Sequence, residues 1–275
     1  MADMTDPFAE IQNEAPQSDY GWRASLLADA RRGFAPVRKA FVQRPQEEET
    51  RPSILGRMVE AREELPLKLL LLVLALEPLC DDLALPAGRW AGMISSTAKP
   101  CGPSQLARAI QRLEDRHLIR RVQEGRLIRI VPLLEDGSGQ DYVRPTAKGV
   151  DVGKGYFAVP HEFWDSGLAD HLRLPGTAMF LVTLHDTTQQ PAFQVALEQM
   201  ADWYGISERT AERGYRELGK AGVLLTHPQS IRDRRSPTGL RTVTWRALAG
   251  PYSQQGREVI QATTRQIARK KAAKP

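Results

Sequence analysis

One pattern occurs twice in this chain, and it leaves few folds open. Helical spacing, a short second helix, an amphipathic third helix and a strand hairpin follow one another over residues 53–146, and again over 156–248. The two third helices superpose at an offset of 105 residues. Leu106, Ile110, Leu113 and Leu118 then fall on Ala211, Tyr215, Leu218 and Val223, while Arg108 falls on Arg213 and Gln111 on Arg216. A shared order of this kind implies a duplicated architecture. Short strands beside longer helical patterns predict an α+β fold, mainly α with small β-hairpins, in two tandem domains.

The flanks have a different character. Residues 1–52 form an N-terminal segment whose first twenty residues hold five acids and no Lys or Arg, so they are expected to be disordered. Within it, 20–43 carries Trp22, Leu26, Leu27, Phe34, Val37 and Phe41, the spacing of a possible helix that docks on the body or binds a partner. "RPQEEETRP" (44–52) and residues 147–155 read as linkers, and 249–275 as a basic C-terminal tail with a frayed helix. In the first unit, helices are predicted over 54–77, near 87–95 and over 103–116, followed by strands in "HLIRRV", "RLIRIV" and "DYVR".

The net charge of +5 makes a polyanion a fair partner without requiring one, so the question is whether bases cluster. In "ISERTAERGYRELGKAG" (206–222) they do. A helix turns about 100° per residue, which puts Tyr215 and Leu218 within about 40° of Ala211 and Gly214 about 60° away. Arg209, Arg213, Arg216 and Lys220 lie about 140–180° from Ala211, on the opposite face. Glu208, Glu212 and Glu217 stand off that line, although ion pairs from them would neutralise part of it. Ser207 is a good N-cap, and Gly205 and Gly222 punctuate the ends.

The stretch "LEQMADWYGISERTAERGYRELGKAGVL" resembles the helix-turn-helix of bacterial winged-helix regulators. The likeness rests on Ala201, on Gly205-Ile206-Ser207 at the turn, on Thr210 and Leu218, and on Gly222-Val223 entering a strand. It implies that Ser207, Arg209, Thr210, Arg213 and Arg216 face the major groove of double-stranded DNA or its phosphates. Beyond the helix, "SIRDRRSPTGLR" sets Arg232, Arg234, Arg235 and Arg241 against one acid, Asp233. A basic hairpin tip can lie on the DNA backbone or enter the minor groove. The first unit matches less well: Ser104, Arg108, Gln111 and Arg112 are candidate DNA contacts, but Asp115 stands where Lys220 stands and "KPCGPS" replaces the turn. Its other reading is a dimerising or partner-binding domain.

Catalytic motifs are missing. His117, His161, His171, His185 and His227 form no metal-ligand pair, and "GVDVGKG" lacks the spacing of a phosphate-binding loop. Cys80 and Cys101 match no metal site and read as reduced thiols. No enzyme activity, cofactor or metal is expected. The apolar run Leu67–Leu76 is too short to cross a bilayer and reads as a buried helix. The expectation is a cytoplasmic, nucleoid-associated, sequence-specific DNA-binding protein, first of all a transcriptional regulator. A plasmid- or phage-type replication or partition factor is the alternative. A scaffold is the third, with a homodimer or protein partner held by the N-terminal segment or the first domain.

Overall fold

The structure, a computed structural model, describes residues 18–44, 53–96, 99–145 and 155–272. The acidic terminus and most of both expected linkers lie outside the described residues. The fold is mixed α+β with small antiparallel sheets.

The first unit contains α3 (Ile54–Glu60), α4 (Glu64–Ala75), β2 (Ala84–Pro86), α5 (Ala87–Ile94), α6 (Pro103–Asp115), β3 (Ile119–Glu124) and β4 (Leu127–Pro132). Strands β2, β4 and β3 form one antiparallel sheet in that order. The long helix expected over 54–77 is in fact two. Its break is a left-handed residue, Arg62 at φ 57°, with the Glu63 N–H returning to the Met58 carbonyl. That 6→1 bond closes α3 as a helix C-terminus would with glycine. Helix α4 is buried on every side, as its unbroken apolar run requires. "DYVR" is no strand. Asp141 makes a single bridge to Leu133.

The second unit contains β5 (Tyr156–Pro160), α7 (Glu162–Asp165), α8 (Leu168–His171), α9 (Leu174–Asp186), α10 (Met200–Tyr204), α11 (Glu208–Lys220), β6 (Leu224–Arg232) and β7 (Leu240–Leu248). The order of the first unit returns: α4, α5 and α6 correspond to α9, α10 and α11, and each set leads into a hairpin. The Phe193–Arg246 bridge stands where β2 pairs with β4. Both third helices also end alike. Val223 N–H reaches the Leu218 carbonyl across left-handed Gly222, and Leu118 N–H reaches the Leu113 carbonyl across left-handed His117, at φ 56°.

The N-terminal segment corrects the expectation of one helix over 20–43. It forms α1 (Asp19–Asp29), β1 (Phe34–Arg38) and α2 (Lys39–Val42). Strand β1 pairs antiparallel with β5, Phe34 opposite Pro160 and Arg38 opposite Tyr156, in a two-stranded sheet separate from the β6–β7 hairpin. The segment also binds the first unit. Arg38 pairs with the fully buried Glu135 at 2.6 Å. Arg23 donates to the Met93 carbonyl and forms a two-pronged pair with Asp170, joining α5 to α8. Helix α3 meets α10 where a Cβ on Gly56 would stand 2.3 Å from the Tyr204 carbonyl oxygen. The two units are therefore knitted together, not strung on a tether.

The C-terminal tail is likewise docked over part of its length, as α12 (Gln254–Ala272). Arg257 is buried and donates to the Leu184 and Thr187 carbonyls at the end of α9. Thr264 donates to the Arg32 carbonyl. Burial lowers the Arg257 pKa to about 10, so it stays charged near neutrality.

Candidate nucleic-acid interface

Helix α11 begins where Ser207 accepts the Thr210 N–H, and it follows α10 across the left-handed Gly205. Its buried residues are Ala211, Gly214, Tyr215 and Leu218. Arg209, Arg213, Arg216 and Lys220 are all exposed, as is Ser207, with Thr210 half-exposed. Ala201, which the resemblance sets in the preceding helix, is exposed here, and Met200 and Tyr204 carry the packing instead.

The acids beside the stripe take separate roles. Glu212 binds Arg216 at 2.8 Å, an i,i+4 pair that neutralises one of the four bases in part. Glu217 turns away. One carboxylate oxygen accepts from Arg173 N–H and Gly176 N–H, both at 3.1 Å, at the N-terminus of α9. Arg209, Arg213 and Lys220 have no acidic partner among the described residues. Helix α9 is thus held at its positive end by Glu217 and at its negative end by Arg257, each opposing the local helix dipole.

The hairpin is longer than the sequence suggested. The sequence pattern "VLLTH" and "RTVTWRAL" reads as strands over 223–227 and 241–248 around a long loop, but β6 runs on through Pro228 to Arg232 and only 233–239 turns. Pro228 is tolerated because β6 is an edge strand, with β7 its sole neighbour in the sheet. Arg232, Arg234 and Arg235 at the tip are exposed, while Arg241 approaches Asp233 at 3.6 Å. Asp233 also accepts the Arg235 N–H, which folds the tip. Arg246 is spent structurally: its guanidinium lies 4.3 Å from the Tyr215 ring centroid and donates to the Val195 carbonyl. A cavity of about 610 Å³ opens beside the last turn of α11, lined by Leu172, Tyr252, Glu162 and Lys220 among others.

The first unit presents a different surface. Ser104, Arg108, Gln111 and Arg112 are exposed on α6, yet two of the four have internal partners. Gln111 donates to Asp115 at 2.9 Å, and Arg112 reaches Glu63 at 3.4 Å. Glu63 is buried and also takes two bonds from Arg116. Arg120, Arg121 and Arg129 are paired with Asp141, Glu114 and Glu124. Sequence reading found the bases of α6 but missed Glu63, which lies a long way back in the chain and carries no local signal.

His161 stands at the N-terminus of α7 and is buried between it and β5. Burial, reinforced by Arg144, pushes its pKa down to about 4. Among the described residues there is no cluster of three or more His, Cys, Asp or Glu able to hold a metal, and no helix long and apolar enough to cross a membrane. Comparison with protein-family models gave no match, and neither curated proteins nor solved structures yielded a similar chain.

Proposed function

We propose that this chain binds double-stranded DNA with its second unit and acts as a transcriptional regulator built from two tandem winged-helix domains. Helix α11 enters the major groove, where Arg213 and Arg216 reach base edges and Arg209 and Lys220 meet phosphates. The β6–β7 hairpin lies on the neighbouring backbone or in the minor groove through Arg232, Arg234, Arg235 and Arg241. One observation carries the reading: Arg209, Arg213 and Lys220 stand exposed on one line of α11 without an acidic partner among the described residues. A merely solvated helix face usually mixes its signs, and this line does not. The repeated element order supports the tandem architecture.

In the first unit, the internal pairing of Gln111 and Arg112 favours a supporting or partner-binding role over direct readout. The test is selection from a random duplex library with the purified chain, followed by sequencing and titration against salt. The expected result is an enriched motif, with log affinity falling against log salt by about 0.9 per neutralised phosphate. A short inverted repeat favours regulation, and direct repeats favour replication or partition. No binding to any duplex at roughly 50 mM salt, where counterion release strongly favours association, overturns the proposal.

A further inference from the structure

We infer that Glu217 is the positioning residue of this interface: by accepting the N-terminal amides of α9 it fixes the rotation of α11 and keeps a carboxylate out of the cationic line. The inference rests on α11 being the DNA-reading helix. About the axis of α11, Glu217 stands roughly 40° from Arg213 and 60° from Lys220. It also lies four residues after Arg213, the spacing at which a helix pairs opposite charges. Glu212 has the same angular relation to Arg216 on the other flank, and there the ion pair forms, at 2.8 Å. Glu217 makes no such pair. Its Oε2 is held between Arg173 N–H and Gly176 N–H at 3.1 Å each.

Two glycines make this hold possible. A Cβ on Gly176 would stand 2.4 Å from the same carboxylate oxygen. A Cβ on Gly214, one turn before Glu217, would stand 2.3 Å from the Pro175 carbonyl oxygen. Close approach at Gly214 and the bonds at Glu217 fix α11 against one end of α9 at two successive turns. Rotation of α11 would need both to yield. The bases opposite are aimed by contacts they do not themselves make.

The test compares Glu217→Gln, Glu217→Asp, Glu217→Ala and Glu212→Gln on a selected duplex and on random-sequence duplex. Gln keeps the acceptor and its reach, Asp keeps the charge but falls one methylene short, and Ala loses both. Glu217→Gln is expected to bind the selected duplex within about twofold of the wild type. Glu217→Asp and Glu217→Ala are expected to lose about tenfold there, about 1.4 kcal/mol, while binding random duplex within about threefold. Glu212→Gln frees Arg216 and strengthens both. A merely structural residue would lower thermal stability and leave the ratio of selected to random affinity unchanged. An unchanged ratio in Asp and Ala, or equal damage in Gln, overturns the inference. Amide exchange at Arg173 and Gly176 in the free protein reads the anchor alone: protection lost in Ala and kept in Gln is expected, and protection kept in Ala sinks it. A wild type that binds no duplex ends the DNA reading, and the exchange result still decides the anchor.

Discussion

Gly214 lies against Pro175 so closely that a methyl group on it would also meet Met179 Cγ, at 2.4 Å. A backbone carbonyl cannot move aside as a side-chain end can, so Gly214→Ala must push α11 off α9. Overpacking of this kind costs roughly 1–3 kcal/mol. Gly219, in the same helix, has nothing within 4 Å of its would-be Cβ. Gly219→Ala is expected to gain about 0.5–1 kcal/mol from helix propensity. Denaturant unfolding of both variants checks the pair. Equal effects would mean that α11 does not pack on α9 as described.

Arg213 and the hairpin tip are expected to fail in different ways. Arg213→Ala should relax preference at one base position, at a cost of about 1–3 kcal/mol on the preferred sequence. Arg234→Ala and Arg235→Ala should weaken all duplexes alike and reduce the salt slope by about 0.9 each. Binding-site selection and salt titration of the three variants separate readers from phosphate contacts. An unchanged motif for Arg213→Ala removes it as a reader.

The first unit should contribute little to the slope. Arg112 is engaged with Glu63, and around Arg108 the places of Arg209, Arg216 and Lys220 are taken by Ser104, Gln111 and Asp115. A double Arg108→Ala, Arg112→Ala variant is expected to keep the wild-type salt dependence to within about 0.5, against the loss of nearly 2 that two phosphate contacts would give. A full loss would place α6 on the DNA.

Arg38 and Glu135 form a pair sealed between the N-terminal segment and the first unit, 2.6 Å apart. Burial raises the Glu135 pKa, and Arg38 opposes that shift. Arg38→Met strands the acid and is expected to cost about 3–5 kcal/mol, whereas Arg38→Met with Glu135→Leu should recover more than half of it. Urea midpoints of the single and double variants decide. A double variant as weak as the single one would mean that packing, not charge, holds this joint.

His161 predicts the acid limb of the stability curve. Its folded pKa is depressed from 6.5 to about 4, so the unfolded chain binds the proton more readily. The contribution is complete above about pH 6.5, falls as acid is added, and is gone below about pH 4, a change of roughly 3 kcal/mol at most. Its Nε2 has no hydrogen-bond partner, and the Leu27 backbone offsets the burial only in part. His161→Phe should flatten the melting temperature between pH 6.5 and 4. A curve that keeps its full slope assigns the acid sensitivity to other groups.

What could be read from the sequence was local. The stripe on α11 followed from a 3.6-residue period and a Ser cap, and its buried set is the one observed. What escaped was pairing across the chain. "FAPVR" looked helical because its partner, Tyr156–Pro160, lies beyond the whole first unit. The break at Arg62 is announced by Pro66, which sits in the first turn of α4 and whose ring would meet the Arg62 carbonyl in a continuous helix. Pro228 looked like the end of a strand because nothing local says that β6 has a free edge. Glu63 and Glu217 both act on amides or guanidinium groups of other helices, which no window of neighbouring residues contains.

The β1–β5 pairing bears on how the chain can be made and cut. While it is being synthesised, Phe34–Arg38 must wait for the entire first unit to emerge before their partner strand exists. Loop closure over that distance is slow and leaves an apolar strand open to stray association in the interval. A fragment beginning after residue 52 would leave β5 an orphan, so dissecting this protein at its apparent boundaries would create an aggregation-prone edge and not an autonomous domain.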